Sequence, residues 1–184
     1  ILFWNWLMSI FLFFTFLRPW KTNRDLLPWT IMVAIGTQAF FLLLVIFFAN
    51  PFNRLWVDAA GNVSAAVFQP GGLRAFTAPD GTGLNPLLRH PGMIIHPPML
   101  YLGFVGLTIP FSYAMAAMIA RNKTDSWIRA SRRATLIAWL FLSLGLLLGA
   151  RWAYDVLGWG GYWGWDPVEN SALLPWLTAT AFLH

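Results

Sequence analysis

The sequence predicts an all-α polytopic membrane protein, a fragment with about five transmembrane helices of which the first and last are truncated. Three observations carry this. Hydrophobic residues fill 58% of the 184 positions and charged residues only 10%, against roughly 45–50% and 25% in ordinary soluble domains. The apolar residues come in long blocks rather than in a period-two or period-3.6 stripe, so lipid is their expected solvent. The chain also starts at Ile1 inside one apolar run and stops at His184 inside another, with no initiator Met and no cleavage signal, as expected for part of a longer protein.

A bilayer core takes about 20 helical residues to cross. Apolar segments run from Ile1 to Leu17, Pro28 to Ala49, Pro97 to Ala120 and Thr135 to Trp152, and a fifth begins near Pro167. Arg18, Lys21 and Arg24 follow the first segment, and Arg121, Lys123, Arg129, Arg132 and Arg133 lie between the third and fourth. The positive-inside rule puts both links in the cytoplasm, and hence the loop 50–95 and the link Ala153 to Asp166 on the outer face. The net charge of +5 is thus read as a topology signal: the twelve Lys and Arg residues sit in short clusters, which predicts no nucleic-acid surface. Cysteine is absent, excluding disulfides, thiolate metal sites and thiol catalysis within this chain. The outer loop of about 46 residues, punctuated by Pro70 to Gly72 and Pro79 to Gly83, is expected to be irregular and either functional or covering. No repeat and no soluble second domain are expected, so residues 1–184 form one transmembrane domain.

From Gly158 the chain reads GWGGYWGWDPVENSALLPW. Trp159, Tyr162, Trp163 and Trp165 alternate with Gly160, Gly161 and Gly164, so planar faces neighbour positions where backbone can approach closely. Such a segment suits a flat apolar ligand, of which a porphyrin is one. Trp and Tyr also collect at membrane interfaces in any polytopic protein, and an interfacial belt is the plainer reading. Asp166, Pro167 and Glu169 match a helix start, with Asp as N-cap, Pro at the first position and Glu at the third, so their carboxylates are read mainly as a structural cap. They join the aromatic loop to the last helix.

Histidine is the remaining candidate for iron ligation. His96 precedes Pro97 and Pro98, taken to open the third segment, which puts it on the outer face beside the aromatic loop; a cap or turn role is the alternative. His184 lies 17 residues beyond Pro167, about 26 Å down the helix and within the bilayer, where an ionisable residue is a functional candidate or a helix-packing hydrogen bond. His90 has no motif around it and is read as a solvated loop residue.

WGGYWGWDPVEN resembles the WWD segment of the haem-handling cytochrome c assembly proteins, the family of CcmF, CcmC and CcsA. NPLLRHPGMIIHPPMLYLGFVG at 85–106 and GARWAYDVLGWGGYWGWDPVENSALLPWLTATAFLH at 149–184 look most like the CcmF branch, and the likeness runs from the first helix to the chain end. The resemblance implies that His96, Trp159, Gly160, Gly161, Tyr162, Trp163, Trp165 and Asp166 bind a substrate haem, with His96 on its iron. It also implies that His184 holds the iron of a resident haem b. The second histidine of each haem would lie in the later part of such a protein. Tyr162 stands where Trp is usual and Gly164 where Phe often stands.

The implied function is that of a cytochrome c haem lyase, which takes haem from holo-CcmE and joins its vinyl groups to the CxxCH thiols of apocytochrome c. No catalytic acid or nucleophile is assigned to this chain. Implied partners are CcmE, CcmH/CcmI, apocytochrome c, quinol as the electron source, and membrane lipid. The implied location is the bacterial inner membrane, WWD segment towards the periplasm, or the mitochondrial inner membrane. Two alternatives stand beside this: a CcmC-like haem delivery protein without ligation activity, and a structural or quinone-binding subunit with an interfacial Trp belt.

Overall fold

The computed structural model describes residues 1–17, 24–81 and 83–184. All five apolar segments are helical. They form α1 (Leu2–Phe16), α2 (Leu27–Phe47), a third segment split into α3 (Gly92–Gly106) and α4 (Thr108–Ile119), then α5 (Ser126–Val156) and α6 (Pro167–Leu183). Three are long and apolar enough to cross a membrane: α2, the combined stretch Gly92–Ile119, and α5. Of the charges read after the first segment, Arg18 and Lys21 lie outside the described residues, while Arg24 opens the turn into α2.

Burial differs from that of a soluble bundle in what faces outward and in the hydroxyls held inside. Large side chains such as Phe13, Phe40, Phe47, Leu147 and Leu174 face outward, whereas Thr30, Ser112, Ser131 and Thr135 are buried between helices. Each buried hydroxyl donates to a carbonyl of its own helix, for example Thr30 to Leu26 at 2.9 Å and Thr135 to Ser131 at 3.0 Å. That is how a polar group lives where no water can satisfy it. One packed cluster joins Leu7, Met8 and Leu12 of α1 to Ala34, Val105, Ile109 and Tyr113; a second joins Leu100, Leu142 and Ala172.

The antiparallel crossing of α3 on α5 organises the functional end. Gly103 packs on Leu142, Gly106 on Ala138, Gly145 on Leu100, and Gly149 on the His96 imidazole. A methyl at Gly103 would meet the Leu142 backbone at 2.5 Å, and one at Gly145 would meet the Leu100 Cα at 2.6 Å. Close approach through small residues at such spacing replaces the hydrophobic drive that lipid removes.

Two segment limits differ from those expected. The third begins at Gly92, not Pro97, so His96 sits within the helix and is neither a cap nor a turn residue; Pro97 and Pro98 are tolerated close to the start. They are its sixth and seventh residues, past the first turn, so each removes one intrahelical donor, a loss that packing against neighbouring helices makes tolerable in membrane helices. The fourth runs from Ser126 to Val156 and takes Arg129, Arg132 and Arg133 into the helix.

The outer loop is less irregular than expected. It holds an antiparallel sheet of order β2-β1-β3, from β1 (Arg54–Val57), β2 (Val63–Ala66) and β3 (Arg74–Ala75), and a 3-10 turn at Pro86–Arg89. Trp56 is buried in it and donates its indole N–H to Ala66 O at 2.9 Å. Asp58 closes the β1–β2 turn, accepting from the Ala60 and Asn62 amides, each at 2.8 Å, and from Asn62 Nδ2 at 2.9 Å. These bonds, led by that from the Asn62 side chain, hold its carboxyl below the usual carboxylate value.

Candidate functional site

A pocket of about 270 Å³ opens where the N-terminal part of α3 and the C-terminal part of α5 meet the start of α6, lined among others by His96, Trp152, Leu157, Trp163, Asp166 and Glu169. His96 Nδ1 lies 2.8 Å from Gly145 O, 49 residues away. A carbonyl only accepts, so Nδ1 carries the proton and the Nε2 lone pair is left for a metal. Gly149, lacking a side chain, leaves room for the ring: a methyl there would stand 2.5 Å from its Cε1. The Trp152 indole lies nearly parallel to the imidazole, 6.4 Å away at 12°. Its Nε1 is buried without a partner among the described residues.

The aromatic segment is held by its own hydrogen bonds. Asp166 Oδ1 accepts the Glu169 amide at 2.7 Å, while Glu169 Oε2 accepts the amides of Asp166 at 3.3 Å and Gly164 at 2.8 Å. This reciprocal capping box, with Pro167 at the first turn, starts α6. Between those two amides lies Trp165, whose φ of +57° is left-handed and costs a non-glycine residue roughly 1–2 kcal/mol. Asn170 Nδ2 donates to its carbonyl at 3.0 Å. Backbone held in such a conformation by its surroundings marks functional segments more often than idle ones.

The aromatic side chains divide into two groups. Trp163 turns inward to the pocket with His96. Trp159, Tyr162 and Trp165 remain 46%, 52% and 68% exposed. Trp159 donates to Gly161 O at 2.9 Å and lays its ring on Gly164, where a Cβ would come within 2.6 Å of it. Gly164 thus makes room for Trp159, and Phe could not stand there without moving it. Tyr162 stacks on Tyr154 at 4.4 Å, and Gly160, at φ +73°, takes the chain around the turn.

His184 is not part of this constellation. Phe182 stacks on Trp127 in the first turn of α5, which puts the end of α6 at the opposite end of the bundle from His96.

The cytochrome C assembly protein family matches residues 1–184, the whole chain. The chain belongs to this family. Among curated members, the cytochrome c-type biogenesis protein CcmF of Haemophilus influenzae is 39% identical over 184 residues, all of this chain and 26% of that protein. CcmF of Escherichia coli K12 is 38% identical over the same share of each. The biogenesis protein ccl1 of Rhodobacter capsulatus is 48% identical over 144 residues, 78% of this chain and 19% of that one. The chain therefore spans about a quarter of the length of the first two relatives. No solved structure matches it. It is a CcmF-type member of the cytochrome C assembly proteins, and a membrane protein by its helices.

Three residues of this assembly protein escaped the sequence reading. His90 is a partly exposed loop residue, as expected, but not an idle one: its Nδ1 accepts the Gly92 amide at 3.1 Å at the start of α3, and its Nε2 faces Asp155 Oδ2 at 3.9 Å. Asp155 also takes Arg151 Nε at 2.9 Å. Trp152 joins the pocket, and only its place about two turns before the aromatic segment hinted at that.

Proposed function

We propose that the parent protein is a cytochrome c haem lyase, and that this chain carries half of each of its two haem sites. The observation that supports the reading most is His96, fixed in one tautomer by Gly145 and facing the same pocket as Trp163. The pocket fits a porphyrin edge: its walls are largely apolar, Nε2 is available to iron, and the buried Trp152 N–H is a donor still to be satisfied. Trp159, Tyr162 and Trp165 would frame the ring on the outer side, carried by Gly160 and Gly161, while Asp166, Pro167 and Glu169 hold the frame on α6. His184, at the other end, would hold a resident haem b whose chemistry, when bound, is one-electron transfer from quinol to the substrate iron.

The haem would come from holo-CcmE and the apocytochrome through CcmH/CcmI, at the periplasmic face of the bacterial inner membrane. Each thioether forms by addition of a thiol across a vinyl double bond: sulfur bonds one carbon, hydrogen the other, and nothing leaves. Both thiols belong to the apocytochrome, as this chain has no Cys. The chain's contribution is binding and orientation, with no acid or nucleophile of its own.

The test uses the full-length protein carrying Trp163→Ala with Trp165→Ala, His96→Ala, or His184→Ala, scored by haem absorption and by yield of holocytochrome c. The first two should lose substrate haem and keep haem b, with holocytochrome falling at least tenfold; the third should lose haem b. Full cytochrome assembly by the Trp double variant would return the segment to an interfacial belt. A purified protein with no low-spin b haem, and with haem content unchanged in His184→Ala, would remove the resident-haem assignment and favour CcmC-like delivery.

A further inference from the structure

At the end of the bundle opposite His96, the segment 120–135 carries Arg121, Lys123, Arg129, Arg132 and Arg133 against one carboxylate, Asp125. None of these five cations is in an ion pair with a described residue. A pocket of about 430 Å³ lies there, lined by Ala114, Ala117, Met118, Arg121, Asn122, Lys123 and Trp127, within the roughly 300–1,000 Å³ range of small-ligand sites. Its floor is the apolar face of α4, its rim is cationic, and Trp127 is steadied by stacking on Phe182 at 5.7 Å. An apolar slot under a basic rim at a membrane interface matches one kind of molecule, with an anionic head and an acyl tail.

A second observation concerns how Arg121 is held. Helix α4 ends in a Schellman turn: the Asn122 amide reaches back to Ala117 O at 2.9 Å and the Arg121 amide to Met118 O at 3.2 Å. The residue this turn requires in the left-handed region is Arg121, at φ +50°. Glycine is the usual occupant because it adopts that conformation without steric cost. The positive-inside rule explains why cations gather at one end of a bundle. It does not explain a cation at the one position where glycine would be easier, on the rim of a pocket.

We propose that this pocket is a binding site for one anionic phospholipid of the adjoining leaflet, with its phosphate between Arg121 and Lys123 and its first acyl carbons along Ala114, Ala117 and Met118. The site is separate from the haem reading and stands or falls without it.

Native mass spectrometry of the full-length protein, released from detergent with phosphatidylglycerol or phosphatidylcholine, tests this. At least fivefold greater retention of phosphatidylglycerol is expected. Arg121→Gly with Lys123→Gln should bring the two lipids to parity, while Arg132→Gln with Arg133→Gln, which removes equal charge outside the pocket, should leave the preference within twofold of wild type. With both delipidated, Arg121→Gly alone should melt no lower than wild type. Equal retention of both lipids overturns the proposal. So does an equal loss in both variant pairs, which means diffuse surface charge, or displacement of the lipid by glycerol 3-phosphate alone, which means a soluble phosphate site. A lower melting temperature in delipidated Arg121→Gly also overturns it, since with no lipid to lose the arginine would then be serving the fold.

Discussion

Glu169 shows how much a single carboxylate can organise. Its Oε2 takes the amides on both sides of Trp165 and so fixes the one left-handed indole of the segment. Glu169→Ala leaves both amides without this acceptor and should cost about 0.5–2 kcal/mol, the range of lost N-caps. Calorimetric melting of wild type and variant checks the value, and cleavage near Gly160 and Gly161 by an added protease should rise together with it. A variant that melts like wild type and resists protease would show that the aromatic loop is held by other contacts. The cap was legible in the sequence because its members lie within four residues, where local geometry leaves few options. The His96 bond to Gly145 was not, because it spans 49 residues and depends on where two helices cross. Gly164 was legible as a close-approach glycine and as a missing aromatic; that it makes room for Trp159 in particular required the ring's position.

At the level of elements, helices were readable and the small sheet was not. An apolar run of about 20 residues has one stable form in lipid, whereas β1 and β2 are four residues each and β3 two, too short for a period-two pattern to stand out. What fixes the hairpin is its turn. Asp58 has a folded pKa depressed below the ordinary carboxylate value, so its contribution is complete above that value and is lost as pH falls through the folded one. The turn should therefore be unchanged between pH 7 and 5 and loosen below about 4. Amide exchange at Ala60 and Asn62, corrected for intrinsic rates, reads this directly. Loosening between pH 7 and 5 would point to another group. The helix ends at α3 and α5 were misplaced because Pro97 and Pro98, which read as a helix start, lie inside the helix, and because arginines can extend a helix beyond the lipid.

Across the whole molecule, the two ends of the bundle are chemically distinct: the aromatic segment and the sheet adjoin one, and the cluster of Arg121, Lys123, Arg129, Arg132 and Arg133 the other. The absence of Cys makes this testable with single cysteines. Gly71→Cys, in the sheet loop, should react with a membrane-impermeant maleimide added to spheroplasts, and Asp125→Cys only after permeabilisation. Labelling of both from outside would invert or break the topology. Helix order and charge placement were readable from the sequence; the pairing of α3 with α5 was not, because glycines in lipid-facing runs give no sign of which helix they admit. That pairing has a mechanical corollary. Gly149 receives the ring of His96 and Gly145 its Nδ1–H, while Leu100 and Leu142 interlock with the glycines below. The crossing therefore acts as a ruler with helical-turn graduations. Sliding α3 by one turn would carry the imidazole about 5.4 Å, past its glycine seat and off its carbonyl, so the depth of the free Nε2 is set in whole steps and has no continuous adjustment.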